Sequence, residues 1–296
     1  DYFKNGKTQY LFNTASAIYI VDRLGNFVDS YPLKLKSSAT AGISVFDYDK
    51  NKEYRVFVPC ANKKVYLYTI KGQEIKDWKF GQTETEVTTP LQHFVAEGKD
   101  YIVFADKFNM YIVNRKGETR VTVQEQIQKS HNNTFTLEPA VGKVPARLVT
   151  TDVQGNVKFI EFSGKVSTLE LSNRSTNHFF EYRDFNNDGS NDFMFVDNQE
   201  LEIISQQKKN ISNFVFQAPI TMRPVVYKFS DNVYKIGVVD HTNSKVYVIN
   251  GNGTLHKGFP LKGKSLFTIG FLYKHSNTFN LIIGGEENFL YNYEIK

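Results

Sequence analysis

The sequence predicts an all-β protein, a seven-bladed β-propeller built mostly from four-stranded antiparallel blades. A short apolar phrase of four residues returns seven times, and its second residues lie 44 to 47 positions apart. Repeats of about 40 to 50 residues with strand-like composition are typical of β-propellers. The seven phrases begin at Ile18, Val65, Met110, Val157, Leu201, Val246 and Leu290.

A glycine at a fixed place after the phrase supports the same fold. It follows the second residue of the phrase by six positions in five of the seven repeats, and Lys208 stands there in the fifth. A tight hairpin turn needs a positive φ at such a place, and glycine adopts it at little cost. These glycines are Gly25, Gly72, Gly117, Gly164 and Gly253.

Strands can be assigned most clearly in the second repeat. Its four segments are predicted at residues 43–47, 54–59, 64–70 and 74–80, which together make one blade. The 25 Phe and 17 Tyr residues favour strands, because aromatic side chains suit a pleated, half-buried surface.

The two ends of the chain fit the repeat less well. The first repeat has little room for a first strand, and the last repeat stops after its third. We therefore expect incomplete terminal blades within a single propeller domain over residues 1–296. Because the sequence begins at Asp1 rather than Met, we also expect this domain to be excised from, or processed out of, a longer precursor.

Composition narrows the classes of partner. The net charge is +5, but the 36 basic residues are scattered, so we expect no nucleic-acid partner. No apolar run approaches the roughly 18 residues of a transmembrane segment, so we expect none in this chain. We also expect the protein to be a monomer. The single cysteine, Cys60, lies in an apolar run and is predicted to be a buried, unreactive thiol.

One motif has the chemistry of a metal site. The segment 184–192 follows the pattern D-x-N-x-D-G-x-x-D, which places oxygen ligands around one Ca²⁺ ion while Gly189 permits a sharp turn. The predicted ligands are Asp184, Asn186, Asp188, Ser190 and Asp192. An EF-hand is disfavoured because its bidentate Glu is replaced by Phe195. The alternative is a polar turn that only caps two strands. In either case the role is structural.

A degenerate copy of the motif occurs in the second repeat. Residues 47–52 keep the first oxygen positions, but Lys52 replaces the glycine and Arg55 falls where a further acid is needed. This segment is predicted to be an ordinary polar turn.

The loop 184–192 between two strands resembles the FG-GAP-type calcium repeats of integrin-like propellers. Over nearly the whole chain, the repeat pattern also resembles uncharacterised envelope-associated propellers of Bacteroidetes-type bacteria, which are grouped with quinoprotein-like or WD40-like repeats. This resemblance implies a periplasmic, outer-membrane-associated or cell-surface location.

Catalytic signatures are not found. No two of the six histidines have the spacing of a metal-binding pair, and G-x-S-x-G, H-E-x-x-H and a phosphate-binding loop are missing. No catalytic or cofactor-binding residues are therefore predicted. A structural role is favoured for His93 and His178, which lie near predicted first strands. The histidines are His93, His131, His178, His241, His256 and His275.

Three functions remain open. The favoured one is a noncatalytic scaffold or binding propeller of the bacterial cell envelope, with a protein or a glycan as partner. The second is a structural domain of a larger surface protein. The third is a polysaccharide lyase or hydrolase with acids or histidines in a central channel, because carboxylates remote in sequence can meet there.

Overall fold

Antiparallel β-sheet makes up nearly all the regular structure of this computed structural model, which describes residues 1–171, 173–230, 233–272 and 278–295. Twenty-five strands form seven sheets that follow one another along the chain. Among the described residues, the one helical element is a 3-10 turn at Glu286–Asn288. The seven-bladed β-propeller predicted from the repeats is confirmed.

Three of the sheets have three strands and four have four. The three-stranded sheets are β1–β3 (Tyr10–Asn13, Ala17–Val21, Leu33–Lys34), β4–β6 (Ser44–Phe46, Arg55–Pro59, Val65–Thr69) and β23–β25 (Phe267–Gly270, Phe279–Gly284, Leu290–Ile295). The first two four-stranded sheets are β7–β10 (Gln92–Ala96, Lys99–Ala105, Met110–Val113, Thr119–Val121) and β11–β14 (Thr136–Glu138, Arg147–Thr151, Val157–Glu161, Val166–Leu169). The other two are β15–β18 (Phe179–Arg183, Asp192–Asp197, Glu200–Ile204, Asn210–Val215) and β19–β22 (Val225–Ser230, Val233–Asp240, Lys245–Asn250, Leu261–Lys262).

The chain divides into two compact units. The first contains Asp1–His131, Phe135–Asp152 and Val157–Leu169, and therefore the four sheets β1 to β14. The second contains Asn132–Thr134, Val153–Asn156 and Glu170–Lys296, and therefore the three sheets β15 to β25. The assignment of residues 1–296 to a single domain stays a prediction.

The cores lie between successive sheets, because alternate residues of a strand point to opposite faces. In β8, Tyr101 and Val103 pack with residues of the following sheet, and Ile102 and Phe104 pack with residues of the preceding one. β8 thus contributes to two cores.

The second unit is built in the same way. In β21, Tyr247 and Ile249 join the core shared with the sheet β15–β18, whereas Val246 and Val248 join the core shared with β23–β25. All four side chains are buried. An inner strand that is apolar at consecutive positions therefore has a partner on both faces.

The repeated phrase forms an equivalent strand in every sheet, namely β2, β6, β9, β13, β17, β21 and β25. The turn after it has a positive φ where glycine was predicted, for example 78° at Gly72. Lys208, which replaces glycine in the fifth repeat, adopts the same conformation with a φ of 61°. The backbone of the turn is therefore conserved between repeats even where the residue is not.

The fourth strand predicted for the second sheet at residues 74–80 is wrong. After a single bridge between Tyr68 and Glu74, the N–H of Trp78 donates to the carbonyl of Ile75 and the chain bends. The ring of Trp78 packs against Phe57, whereas Phe80 packs against Phe104 in the next sheet. Aromatic packing thus draws this segment away from the edge of its own sheet.

Both terminal sheets are incomplete within the described residues, as predicted. The first has no strand before β1 to pair with it, and the last has no strand beyond β25. In the part of the chain that is described, no helix is long and apolar enough to cross a bilayer.

Cys60 lies in the apolar setting that the sequence indicated. It is 1% exposed in the core between the first two sheets. Burial raises the pKa of its thiol to about 11, so the thiolate that would react is disfavoured at neutral pH. The low reactivity of this thiol stays a prediction.

Replacing Lys208, which takes the place of glycine in the fifth repeat, should stabilise the protein. We expect Lys208→Gly to raise the free energy of unfolding by about 0.5–1 kcal/mol. A left-handed backbone costs a non-glycine residue about 1–2 kcal/mol, and this cost is removed. Part of the gain is lost, because glycine has more conformational freedom in the unfolded chain. Denaturant unfolding of both proteins measures the difference.

Gly253→Ala is the matched control at the equivalent turn of the next repeat. Its φ is 80°, and an added Cβ would lie 1.8 Å from the Ser212 Oγ. We expect this variant to lose more than about 1 kcal/mol. Equal destabilisation by both substitutions would contradict the assignment of the turn.

Candidate functional site

The predicted calcium loop connects the first and second strands of its sheet, β15 and β16, as expected. Asp192 begins β16 and is 1% exposed, whereas Asn186, Asp188 and Ser190 are exposed. Gly189 has a φ of 87°, so the sharp turn predicted at this glycine is present. Only the last of the predicted ligands is therefore anchored in the core.

Backbone N–H groups of the loop donate to its own side-chain oxygens. The carboxylate of Asp184 accepts from the N–H of Asp188 at 3.1 Å and from the N–H of Gly189 at 2.9 Å. Asn186 Oδ1 accepts from the N–H of Asp188 at 3.0 Å, and Asp188 Oδ1 accepts from the N–H of Ser190 at 2.9 Å. These bonds fix the loop conformation and leave each oxygen further lone pairs.

Asp192 is the electrostatically strained member of the loop. Its Oδ2 accepts from the N–H of Phe185 at 3.0 Å, but its Oδ1 is buried without a hydrogen-bond partner. Burial raises the pKa of Asp192 to about 6, and the charges of Asp188 and Asp184 add to this effect against the backbone N–H groups that lower it. The loop therefore carries a buried negative charge that is poorly compensated.

The three carboxylates of the loop are not gathered around one point. Within the described ranges, no group of three His, Cys, Asp or Glu side chains has the geometry to hold a metal ion. The structure thus brings the predicted ligands into one short loop, but their side chains are arranged as acceptors for backbone N–H groups.

The degenerate loop at residues 47–52 is a polar turn in which arginine supplies the positive charge. Asp47 accepts from the N–H groups of Asn51 and Lys52 at 3.0 and 2.9 Å. Asp49 lies 2.8 Å from a terminal nitrogen of Arg115, whose guanidinium also lies over the ring of Tyr48 at 4.6 Å. The charge of Asp49 is therefore compensated by an arginine of the protein itself.

The two histidines near first strands have structural surroundings. His93 Nε2 lies 2.7 Å from Asp100 Oδ1, and the ring packs against Phe46. His178 is fully buried, with Nδ1 2.7 Å from the carbonyl of Ser175. His275 lies outside the described residues.

A polar cleft of about 420 Å³ lies in the second unit, and sequence reasoning did not find it. It is formed by the segments before β15 and β19, by the turn between β16 and β17, and by one residue from the segment 132–134. Its lining residues are Asn132, Ser175, Asn177, Phe179, Asn198, Pro219, Ile220 and Thr221. All of these side chains are uncharged.

Hydrogen bonds hold the walls of the cleft in place. Asp197 accepts from the N–H of Ser175 at 2.7 Å and from its hydroxyl at 2.5 Å. The N–H of Ile220 donates to the carbonyl of Asn198 at 2.7 Å, and the side chain of Asn132 donates to the carbonyl of Asn177 at 2.9 Å. The three wall segments are therefore bonded to their neighbours.

Arg223, two residues after the lining residue Thr221, links segments that contribute to the cleft. Its guanidinium donates to the carbonyl of Asn132, to the carbonyl of Phe180 at 3.1 Å and to Glu181 Oε1 at 2.6 Å. The planar guanidinium holds its donors in a fixed geometry. These bonds connect the segment that follows Thr221 to Asn132 and to the beginning of β15.

Besides the glycine of the hairpin turn, an aspartate also recurs along the chain, and it holds the loops at the strand ends in place. An aspartate recurs at or just after the end of the second strand in four sheets, at intervals of 43 to 46 residues, and this spacing could have revealed it from sequence. These residues are Asp106, Asp152, Asp197 and Asp240. Asp106 shows the role clearly, because it accepts from the N–H groups of Glu84, Thr85, Phe108 and Asn109.

Comparisons with solved structures support the propeller fold. The chain is similar to a crystal structure of BBS1N in complex with ARL6DN, with a TM-score of 0.63, 13% identity, and coverage of 99% of this chain and 88% of that chain. It is also similar to a catalytically inactive virginiamycin B lyase from Staphylococcus aureus with quinupristin, with a TM-score of 0.50, 15% identity, and coverage of 98% and 88%. At this identity the similarity shows the fold alone.

A third similarity is weaker. A protein of unknown function from Bacteroides caccae aligns with a TM-score of 0.42 and 13% identity, over 86% of this chain and 93% of that chain, which supports no conclusion. No protein-family model matches the chain, and no curated protein matches it in sequence. The class that the fold defines is a seven-bladed β-propeller.

Proposed function

We propose that the chain is a noncatalytic binding or scaffold propeller of the bacterial cell envelope, and that its partner is a protein or a glycan. The cleft in the second unit carries this proposal, because it combines hydrogen-bonded wall segments with exposed polar side chains. The envelope location rests on the resemblance of the repeat pattern and the loop 184–192 to envelope-associated propellers.

Two features favour binding over catalysis. The cleft is lined only by uncharged side chains, whereas hydrolysis or elimination of a polysaccharide needs a placed acid or base. BBS1N, which has a similar fold, is in complex with ARL6DN, so a propeller of this kind can present a surface to a protein. A lyase on the same fold shows that the fold itself does not decide between the two.

The binding function is tested by blocking the cleft. Asn177→Arg places a large charged side chain in its wall, and we expect immobilised protein to lose its partner from isolated cell-envelope protein and polysaccharide fractions. The matched control is Asn213→Arg on β18, an exposed position that does not line the cleft. Quantitative mass spectrometry and sugar analysis measure the retained material.

Equal recovery by wild type and Asn177→Arg would overturn the role of the cleft. Shortening of an envelope polysaccharide by the purified protein would overturn the noncatalytic assignment. If wild type retains no partner from either the protein or the polysaccharide fraction, the result favours the alternative of a structural domain in a larger surface protein.

We further propose that the loop 184–192 holds a structural Ca²⁺ ion. Its support is the buried Asp192 Oδ1, which has no hydrogen-bond partner. Such an oxygen costs about 1–3 kcal/mol when it is left unpaired, and a cation would satisfy it. The loop also supplies the carboxylates, the amide oxygen and the backbone carbonyl that Ca²⁺ prefers. The ligand chemistry of the loop therefore suits a calcium ion, and binding would require its carboxylates to move together from their present arrangement.

Calcium should stabilise the folded protein through this loop. An ion that binds only the folded state adds about 2.7 kcal/mol to the free energy of unfolding when free Ca²⁺ is about a hundredfold above its Kd. We expect wild type to melt at a higher temperature in calcium than in chelator. Asp188→Ala should lose this difference, because it removes a central ligand.

Asp49→Ala is the matched control in the degenerate loop. It breaks the contact with Arg115 and should lower the melting temperature equally with calcium and with chelator. The calcium response itself should remain that of wild type. Identical responses of wild type and Asp188→Ala would show that the loop 184–192 is only a polar turn.

A further inference from the structure

Three side chains of the cleft in the second unit are open for a ligand. The amides of Asn177 and Asn198 and the hydroxyl of Thr221 make no hydrogen bond within the part of the chain that the structure describes, and all three residues are exposed. Each amide offers both donors and an acceptor, and the hydroxyl offers one donor and two lone pairs. The cleft therefore presents donors and acceptors together.

Three other lining residues are apolar. Phe179 and Ile220 are buried, with 7% and 6% of their surfaces exposed, and Pro219 precedes Ile220 in the lining. Amides and hydroxyls beside an apolar surface match a ligand that has hydroxyl groups on its edge and C–H groups on its face. A sugar ring has this distribution.

The charged groups near the cleft are already satisfied. Asp197 accepts two hydrogen bonds from Ser175, and the guanidinium of Arg223 donates to Asn132, Phe180 and Glu181. No charged side chain is among the lining residues. A phosphate, a nucleotide or a uronic acid would thus be desolvated in the cleft without an ion pair.

Shape and rigidity agree with a small ligand. The volume of about 420 Å³ lies within the range of about 300–1,000 Å³ that is usual for small-molecule sites. The wall segments are joined through Ser175 and Asp197, through Ile220 and Asn198, and through Asn132 and Asn177. A prearranged site of this kind loses little entropy when a ligand binds.

We propose that this cleft binds a neutral oligosaccharide, with Asn177, Asn198 and Thr221 as the residues that hydrogen-bond its hydroxyl groups. The inference rests on the proposed binding function and names the class of ligand. A peptide is disfavoured because recognition of a peptide commonly uses an open sheet edge or paired charges, and the lining residues supply uncharged side chains without a charged group.

The first test uses an array printed with neutral, sialylated and sulfated oligosaccharides together with a peptide array. We expect the intact chain to retain neutral oligosaccharides in preference to the anionic ones and to the peptides. The neutral oligosaccharide with the strongest signal is then titrated by calorimetry against variants of the cleft.

The variants are chosen to keep the fold. Thr221→Val conserves shape and removes the hydroxyl, and Asn198→Gly removes the amide at a position whose φ of 51° glycine tolerates. We expect each to weaken binding about tenfold, because each removes one hydrogen bond to the ligand. Asn213→Ala, outside the cleft, should bind as wild type does.

Several results would overturn the proposal. Retention of only anionic glycans or only peptides would assign the cleft to another ligand class, and the binding function would stand. Binding of a neutral oligosaccharide that is unchanged in Thr221→Val and Asn198→Gly would place the sugar elsewhere. If the arrays retain nothing and Asn177→Arg also leaves envelope recovery unchanged, the binding function itself fails.

Discussion

The structure depends on one constraint, which is that a sheet of three or four strands has two apolar faces and must cover both. Within each compact unit, successive sheets meet this need by packing against each other. β8 shows how a strand serves two cores, since Tyr101 and Val103 point to one neighbouring sheet and Ile102 and Phe104 to the other. The repeated apolar phrase reflects this constraint, because consecutive apolar residues of a strand place an apolar side chain on each face of the sheet.

The side chains of the inner strands are used in packing between sheets. Binding residues are therefore expected on the loops at the strand ends, which are accessible. They are still held firmly. Asp197 binds the segment that precedes β15, and Arg223 joins that region to Asn132. In the second unit, these hydrogen bonds hold loops whose residues Asn198 and Thr221 line a cleft and have side chains that are unpaired within the described part of the chain.

The fold could be predicted from sequence because its signals are local and repeated, as the phrase and the glycines at Gly72 and Gly253 show. The path of residues 74–80, where a fourth strand was expected, could not be predicted from sequence. It depends on contacts of Trp78 and Phe80 with aromatic rings remote in sequence. The cleft was missed for the same reason, since its lining spans residues 132 to 221. The turn at residues 184–192 was located correctly, but binding of an ion there depends on side-chain geometry that spacing does not determine.

Amide hydrogen exchange of the intact protein, resolved strand by strand, tests most directly whether the repeats form inner strands packed on both faces. The decisive strands are β5, β8, β12, β16 and β20, which are paired on both edges and largely buried. The account predicts that their amides exchange slowest, at rates that approach those of global unfolding. If these amides exchange as fast as those of the exposed loop at residues 186–190, the packing described here is contradicted.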